Sequence, residues 1–440
     1  MEGVYYQQRL DEGVNLYLIK EPKFKTVWIS LFLYRQLDEN TTKNALLPYV
    51  IKRGNQDYQD LKAIEKFLGE KYGATLSVDV VKKGDLQLLY FNSNVISDKY
   101  TLNGEGVVSA VLSFILDLIR KPLIGDNGFK EEFFGQEKQN LRKLISARIN
   151  DKIQYSLERC YEEMYKGRPF SRYRYGDIEE LDQITSRELA DYYYKLLSET
   201  PIDIFVVGDV DISDLKDVLD RGLEINRQNI LYPMQEQYNP DRDVPREVVE
   251  AMDVNQGKLV MGFKTGVDYK SAQYVPMLVY TSILGGGTHS KLFNNVREKA
   301  SLAYYSFARM EKFKGLMVIG SGIETTNYQK TVQIINQQLE EMNKGNISEY
   351  EIDGAKKALV NDILSMKDNQ AQTVDFLLNR IISGHGMTPQ TLIKEIERVT
   401  VQEVREVSGK VEPVVTYFLT STKSGGGEMN DGQYKRISVF

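Results

Sequence analysis

Apolar and polar positions alternate through Val14-Asn15-Leu16-Tyr17-Leu18-Ile19, and the run Val27-Trp28-Ile29-Ser30-Leu31-Phe32-Leu33 follows, predicting two strands near the start of the chain. The period then lengthens. A helix is expected from about Thr41, and another over residues 60–69, where Leu61, Ile64 and Leu68 fall at helical spacing. Strands are predicted at 74–81 and 86–91, joined across Lys82-Lys83-Gly84, and helices at 107–119, 128–151 and 155–165. A Thr-x-x-Glu capping box (Thr185, Glu188) starts a further helix. A strand at 202–207 closes this series at Gly208-Asp209.

The second half repeats the order. A strand at 258–263 leads to a helix near 274–284, then to a helix-like run with Leu292, Phe293 and Val296 on one face, and to a strand from Leu302. Another strand (316–319) precedes a helix carrying Val332, Ile335 and Leu339, then a long helix at 349–367, a second capping box (Thr400, Glu403) and a strand at 414–419. The segment Ile184-Thr185-Ser186-Arg187-Glu188-Leu189 mirrors Val399-Thr400-Val401-Gln402-Glu403-Val404 at an interval close to half the chain, which reads as a duplication. The fold class expected is α+β: two homologous halves, each a mainly antiparallel sheet with helices on one face. The halves span 1–225 and 246–423, the Asn/Gln/Asp/Pro-rich stretch 226–245 is the linker, and 424–440, opening Ser424-Gly425-Gly426-Gly427, is a flexible tail.

Composition narrows the function classes. At 42% hydrophobic and 27% charged residues the chain is of soluble globular type, and its 440 residues favour two domains. A net charge of −6 gives no reason to expect nucleic acid or an anionic membrane as partner. The single cysteine, Cys160, excludes an intramolecular disulfide and reads as a small buried apolar residue. The most apolar run, 107–119, is interrupted by Asp117 and falls short of the ~20 residues of a membrane helix. No basic region followed by an apolar core opens the sequence, so the cytoplasm is the expected location.

The candidate chemistry lies in Leu284–Tyr304, LGGGTHSKLFNNVREKASLAY. Gly285, Gly286 and Gly287 precede the helical run without forming a phosphate loop, since no Lys followed by Ser or Thr completes that pattern. Arg297 stands seven residues before Tyr304, with the helix expected to end at Ala300-Ser301. An always-charged fork of donors beside a phenol suits the carbonyl oxygens or carboxylate of a peptide. The succession Gly-Gly-Gly, Ser-Lys-Leu-Phe, Val-Arg-Glu-Lys and Leu-Ala-Tyr resembles the second-half signature of insulinase/pitrilysin-like metallopeptidases, in the branch of the processing peptidases. That resemblance implies two similar halves closing as a clam-like shell around a peptide. It also implies substrate contacts at Arg297 and Tyr304, with Gly285, Gly286, Gly287 and His289 nearby. It extends to paired bacterial proteins, one with and one without the zinc motif, of which one pair is named for association with the 5-aminopentanol modification of elongation factor P.

The family's catalytic half carries an inverted zinc motif, His-x-x-Glu-His, with a Glu further on as third ligand. Here the matching stretch reads Ala45-Leu46-Leu47-Pro48-Tyr49. Ala45 and Tyr49 stand at the histidine positions, Pro48 at the general base, and Leu144, seven residues after Glu137, at the third ligand. Both histidines of the chain, His289 and His385, lie in the second half, so no such motif can form anywhere. Pro48 is expected to kink or shorten its helix. The resemblance therefore implies no cofactor in this chain, with zinc held by a homologous His-x-x-Glu-His partner in a heterodimer. This chain would supply Arg297 and Tyr304 to an extended or unfolded peptide. A non-hydrolytic scaffold and a peptide-binding homodimer are the other two readings.

Overall fold

The computed structural model describes residues 5–236, 245–422 and 436–437. The first half runs β1 (Tyr6–Asp11), β2 (Val14–Lys20), β3 (Thr26–Gln36), α1 (Thr41–Ile51), α2 (Leu61–Glu70), β4 (Ser77–Lys83), β5 (Leu86–Ile96) and α3 (Val107–Arg120). It continues through the short strands β6 (Ile124–Gly125) and β7 (Gly128–Phe129), then α4 (Glu131–Ser146), α5 (Lys152–Met164), α6 (Ile178–Gln183), α7 (Ser186–Glu199), β8 (Ile202–Gly208) and α8 (Lys216–Arg221). The second half runs β9 (Arg246–Met252), β10 (Gly257–Lys264), α9 (Tyr274–Gly285), a π-helix (Phe293–Lys299), β11 (Ala303–Glu311) and β12 (Leu316–Ile323). It ends with α10 (Tyr328–Lys344), α11 (Glu349–Met366), α12 (Gln370–Ser383), α13 (Pro389–Arg398), α14 (Val401–Ser408), β13 (Glu412–Ser421) and β14 (Arg436–Ile437).

The duplication shows in the topology. One six-stranded sheet has the order β4-β5-β3-β8-β2-β1 and the other β11-β12-β10-β13-β9-β14. Each is antiparallel but for parallel pairings on the same side of the centre: β2 with β8 in the first, β9 with both β13 and β14 in the second. Strand β9 escaped the sequence reading because its polar start adjoins the Pro-rich stretch and one of its two buried residues, Glu250 beside Val248, is a charge. The expected tail from 424 lies outside the described residues except for β14.

The chain divides into two compact units, one of Met1–Ala147, Arg172–Gln235 and Lys367–Leu378, the other of Arg148–Ser171, Glu236–Met366 and Asn379–Phe440. In the first, Leu16, Ile29, Leu31, Leu89 and Ile204 from the sheet form one core with Leu46, Leu47, Val111, Ile115, Leu189 and Leu196 from α1, α3 and α7. The segment read as a linker begins as part of this unit. Arg227 is buried and donates to the carbonyls of Glu12 (2.7 Å), Leu197 (2.6 Å) and Thr200, and the Gln235 amide holds Lys83 and Asp85.

In the second unit, α5 comes from the first half of the sequence. Tyr155, Cys160 and Met164 pack with Val260, Val318, Val415 and Tyr417, covering a sheet face additional to the one faced by α9. Glu250 is buried beneath this helix, accepting hydrogen bonds from Tyr155 (2.5 Å) and Tyr417 (2.8 Å) with Arg159 at 3.3 Å, as a buried carboxylate requires. The helix expected over 128–151 is α4, which ends at Ser146, and the one expected over 155–165 is α5, which starts a few residues earlier because the Asp151 carboxylate accepts the N–H groups of Ile153 and Gln154 at 3.1 and 3.0 Å. Among the described residues no helix is long and apolar enough to cross a membrane.

Candidate functional site

In the first unit, α1 (Thr41–Ile51) carries the stretch that the resemblance matches to the zinc motif. Pro48 neither ends nor shortens it: the helix runs on to Ile51, and the Lys52 N–H closes onto the Pro48 carbonyl at 3.0 Å. Pro48 lies close enough to the C-terminus that only one turn follows, so the missing N–H costs a single ladder bond. Ala45 is buried in the core and offers no donor atom. Tyr49 donates to the Asp79 carboxylate on β4 at 2.7 Å, and Tyr175 donates to the other oxygen at 2.9 Å. Burial and the Asp79 charge push the Tyr49 phenol far above its ordinary value; burial first, then Asp79, leave Tyr175 pushed up to about 12. Both phenols therefore stay neutral donors. Leu144 lies on α4 at 38% exposure with an aliphatic side chain. Glu137, on the same helix, is 2.8 Å from Arg53. These positions do not fit zinc: they present one committed phenol and no imidazole or free carboxylate, and among the described residues no three His, Cys, Asp or Glu side chains group as metal ligands.

The second unit carries Arg297 and Tyr304, each on an irregular element. Arg297 sits in the π-helix, a conformation frequent at functional sites. Its cause is local: the amides of Asn294 and Asn295 donate to the carbonyls of Ser290 and Lys291, both at 2.9 Å, competing for the acceptors of an ordinary α-helical ladder. Two adjacent asparagines inside a helical run are the sequence signal for this. The π-helix ends at Lys299, Ser301 beyond it lies in the left-handed region (φ 52°), and the Leu302 N–H returns to the Val296 carbonyl at 3.1 Å, tying the start of β11 to the residue before Arg297.

Tyr304 is the extra residue of a β-bulge, since Ala303 pairs with Ile323 and Tyr305 already pairs with Gly322. A bulge re-aims a side chain, and Tyr304 is 68% exposed. Arg297 is half-exposed; its guanidinium lies 4.7 Å over the Phe293 ring and meets Glu298 only at 3.6 Å, leaving donors for a ligand. Spacing alone indicated the pair; the bulge was hidden because it arises from register against β12.

The neighbouring candidates divide. Gly285 is buried, and a Cβ there would lie 2.7 Å from the Phe307 carbonyl carbon, so its role is close packing of α9 on β11. Gly286 and Gly287 are exposed on the following turn. His289 is 8% exposed, with Nε2 3.1 Å from the Ser282 carbonyl and its ring against Gly354; burial lowers its pKa. The reading of His289 as a substrate contact is corrected on this ground, since its ring is enclosed between α9 and α11. Beside it, Lys291 is buried and reaches the Asn346 carbonyl (2.7 Å) and Glu351 (2.9 Å), anchoring the start of the π-helix.

Comparison with known proteins bears on the family and the fold. The family described as "Peptidase M16 inactive domain" matches residues 183–359. The chain is 33% identical to the probable inactive metalloprotease YmfF of Bacillus subtilis, covering 93% of this chain and 96% of that protein. A conserved protein from Enterococcus faecalis V583 superposes with a TM-score of 0.88 at 29% identity, covering 96% of this chain and 100% of the other. The Pseudomonas fluorescens M16 inactive-domain structure shares the fold, with a TM-score of 0.79 at 16% identity over 95% of this chain and 98% of that one. By its similarity to YmfF, its shared fold and its four altered metal positions, this chain belongs to the insulinase/pitrilysin-like M16 metallopeptidase family, as a member without the inverted zinc motif.

Proposed function

We propose that this protein is the zinc-less subunit of a heterodimeric peptidase, holding an extended or unfolded peptide with Arg297 and Tyr304 while a His-x-x-Glu-His partner supplies the metal and general base. The observation that carries this is the asymmetry between the two sites. Ala45, Pro48, Tyr49 and Leu144 have no metal chemistry, whereas Arg297 and Tyr304 stay accessible on a π-helix and a bulge joined by the Leu302–Val296 bond. An exposed Arg with unused donors binds a peptide carbonyl or the oxyanion formed from it, and the phenol adds a second donor. The work takes place in the cytoplasm on this reading.

The test is peptide cleavage by this chain alone, by a candidate homologue that carries the His-x-x-Glu-His motif alone, and by the mixture. Cleavage is expected in the mixture, falling about 10²-fold with Arg297→Ala, the usual scale for removing one oxyanion donor. A mixture no faster than the homologue alone ends the heterodimer reading and leaves the scaffold.

A further inference from the structure

We infer that Asn103 is a modification site: its carboxamide is converted without an enzyme, through a cyclic imide formed with Gly104, into aspartate and isoaspartate. The chain contains two Asn-Gly dipeptides, Asn103-Gly104 and Asn127-Gly128, and the fold exposes one of them to this chemistry while shielding the other. In such a dipeptide the attacking backbone nitrogen belongs to a residue without a Cβ, so the approach is open and the chain can take the conformation that ring closure needs. The Gly104 nitrogen attacks Cγ of Asn103, the imide closes, and the carboxamide nitrogen leaves as ammonia with the proton of the Gly104 N–H. Water then adds to either imide carbonyl and opens the ring. Opening on one side gives aspartate; on the other it gives isoaspartate, in which the main chain runs through the side-chain carbons. The balance is one water consumed, one ammonia released and one negative charge gained.

Both asparagines are exposed, so access to water does not separate them. What separates them is how the following amide is held. Asn103 and Gly104 lie between β5 and α3, in a run of exposed residues from Leu102 to Gly106. Neither the Asn103 carboxamide nor the Gly104 N–H makes a hydrogen bond among the described residues, and a Cβ built on Gly104 meets nothing within 4 Å. The bonds of this loop fall on either side of the dipeptide. The Leu102 N–H donates to the Tyr72 hydroxyl at 3.3 Å and the Glu105 N–H to the Thr101 hydroxyl at 3.2 Å. The Asp98 carboxylate accepts the Val107 N–H at the start of α3. Asn103-Gly104 is therefore the slack part of a pinned loop, free to fold its carboxamide onto its own backbone.

Asn127-Gly128 is held from two sides. It lies at the turn of the β6–β7 hairpin, where Gly128 pairs with Gly125. Gly128 is buried, and a Cβ there would meet the Arg187 backbone nitrogen of α7 at 2.6 Å. The Arg187 guanidinium also donates to the Asp126 carbonyl at 3.0 Å, fixing the turn from the other end. Closing an imide here would require this backbone to leave both its strand partner and the helix behind it, so conversion waits on local unfolding.

The experiment incubates the full chain at mildly alkaline pH, where the attacking amide loses its proton more readily, and follows both asparagines by peptide mass mapping. Digestion in heavy-oxygen water marks any conversion that occurs during handling, and electron-transfer fragmentation separates aspartate from isoaspartate. A parallel sample is held in urea. In the folded chain the amide-to-acid mass change is expected at Asn103 several-fold faster than at Asn127, with both acid forms present. In urea the two sites are expected to convert at similar rates, because the fold alone distinguishes them. Gly104→Ala should slow conversion at Asn103 several-fold and leave Asn127 as it was, the methyl having open space to occupy. Asn103→Gln, which keeps the glycine and would have to close a less favourable six-membered ring, should abolish conversion at that position. An Asn103 that keeps its amide in the folded chain while converting in urea overturns the proposal. So does an Asn127 that converts as fast as Asn103 in the folded chain, or a rate at residue 103 unchanged by both substitutions.

Discussion

Tyr49 shows what replaces a lost metal ligand. Its phenol and that of Tyr175 both donate to the Asp79 carboxylate, so the residue that the resemblance matches to a histidine ligand is here a neutral donor to an anion. Absence of the ligands was legible from two histidines in the wrong half; the Asp79 cluster was not, because it unites residues from α1, β4 and the segment before α6. His289 failed as a predicted contact for the same kind of reason, since Gly354, far along the chain, creates the space that encloses it. Gly285 gives a sharp prediction at this scale. Gly285→Ala forces a methyl into the β11 backbone and should destabilise by about 1–3 kcal/mol, the range for overpacking. Gly69→Ala, with nothing within 4 Å and a place inside α2, should stabilise by about 0.5–1 kcal/mol. Urea unfolding of both variants checks the contrast; equal effects would contradict the packing role.

Elements here are decided by which side chains compete for backbone groups. Of the two expected capping boxes, Thr400 with Glu403 is complete. Thr185 caps alone, because Glu188 turns to Lys43 at 2.6 Å. The π-helix depends likewise on Asn294 and Asn295, and on its anchor through Lys291 to Glu351 in α11. Burial opposes ionisation of Glu351, but the Ser348 N–H at 2.8 Å, the Lys291 ammonium and the Ser348 hydroxyl outweigh it and hold the carboxyl below its ordinary value. A carboxylate with a depressed folded pKa contributes stability that is present above its unfolded value, about 4.3, and is lost as pH falls through the folded value. Lys291→Met should therefore cost about 1.5–3 kcal/mol at pH 7, with the gap to the parent chain narrowing as pH drops below about 4. Unfolding curves at pH 7, 5 and 3 measure this, and a gap that does not narrow would show that the ion pair is not its source.

At the scale of the molecule, the halves read from the sequence are not the units that pack. Residues Arg148–Ser171 belong with the second unit and Lys367–Leu378 with the first, where Gln370 on α12 donates to the Thr26 and Val207 carbonyls at 2.7 and 2.8 Å. Fragments cut within the 226–245 stretch should each lack a helix of their core and unfold without a cooperative transition, regaining one when mixed. Cooperative unfolding by either fragment alone would refute the exchange of core segments. The sequence by itself determined the α+β class, the duplication and the absence of the zinc motif, and it singled out Arg297 and Tyr304 as candidates, because these rest on local periodicity and on which chemical groups exist at fixed spacings. Only the tertiary structure decided the parallel strand β9, the traded helices, the burial of His289, the Asp79 cluster and the bulge under Tyr304. Each of these depends on contacts between residues far apart in the chain, where register and burial are set by packing rather than by neighbours in sequence.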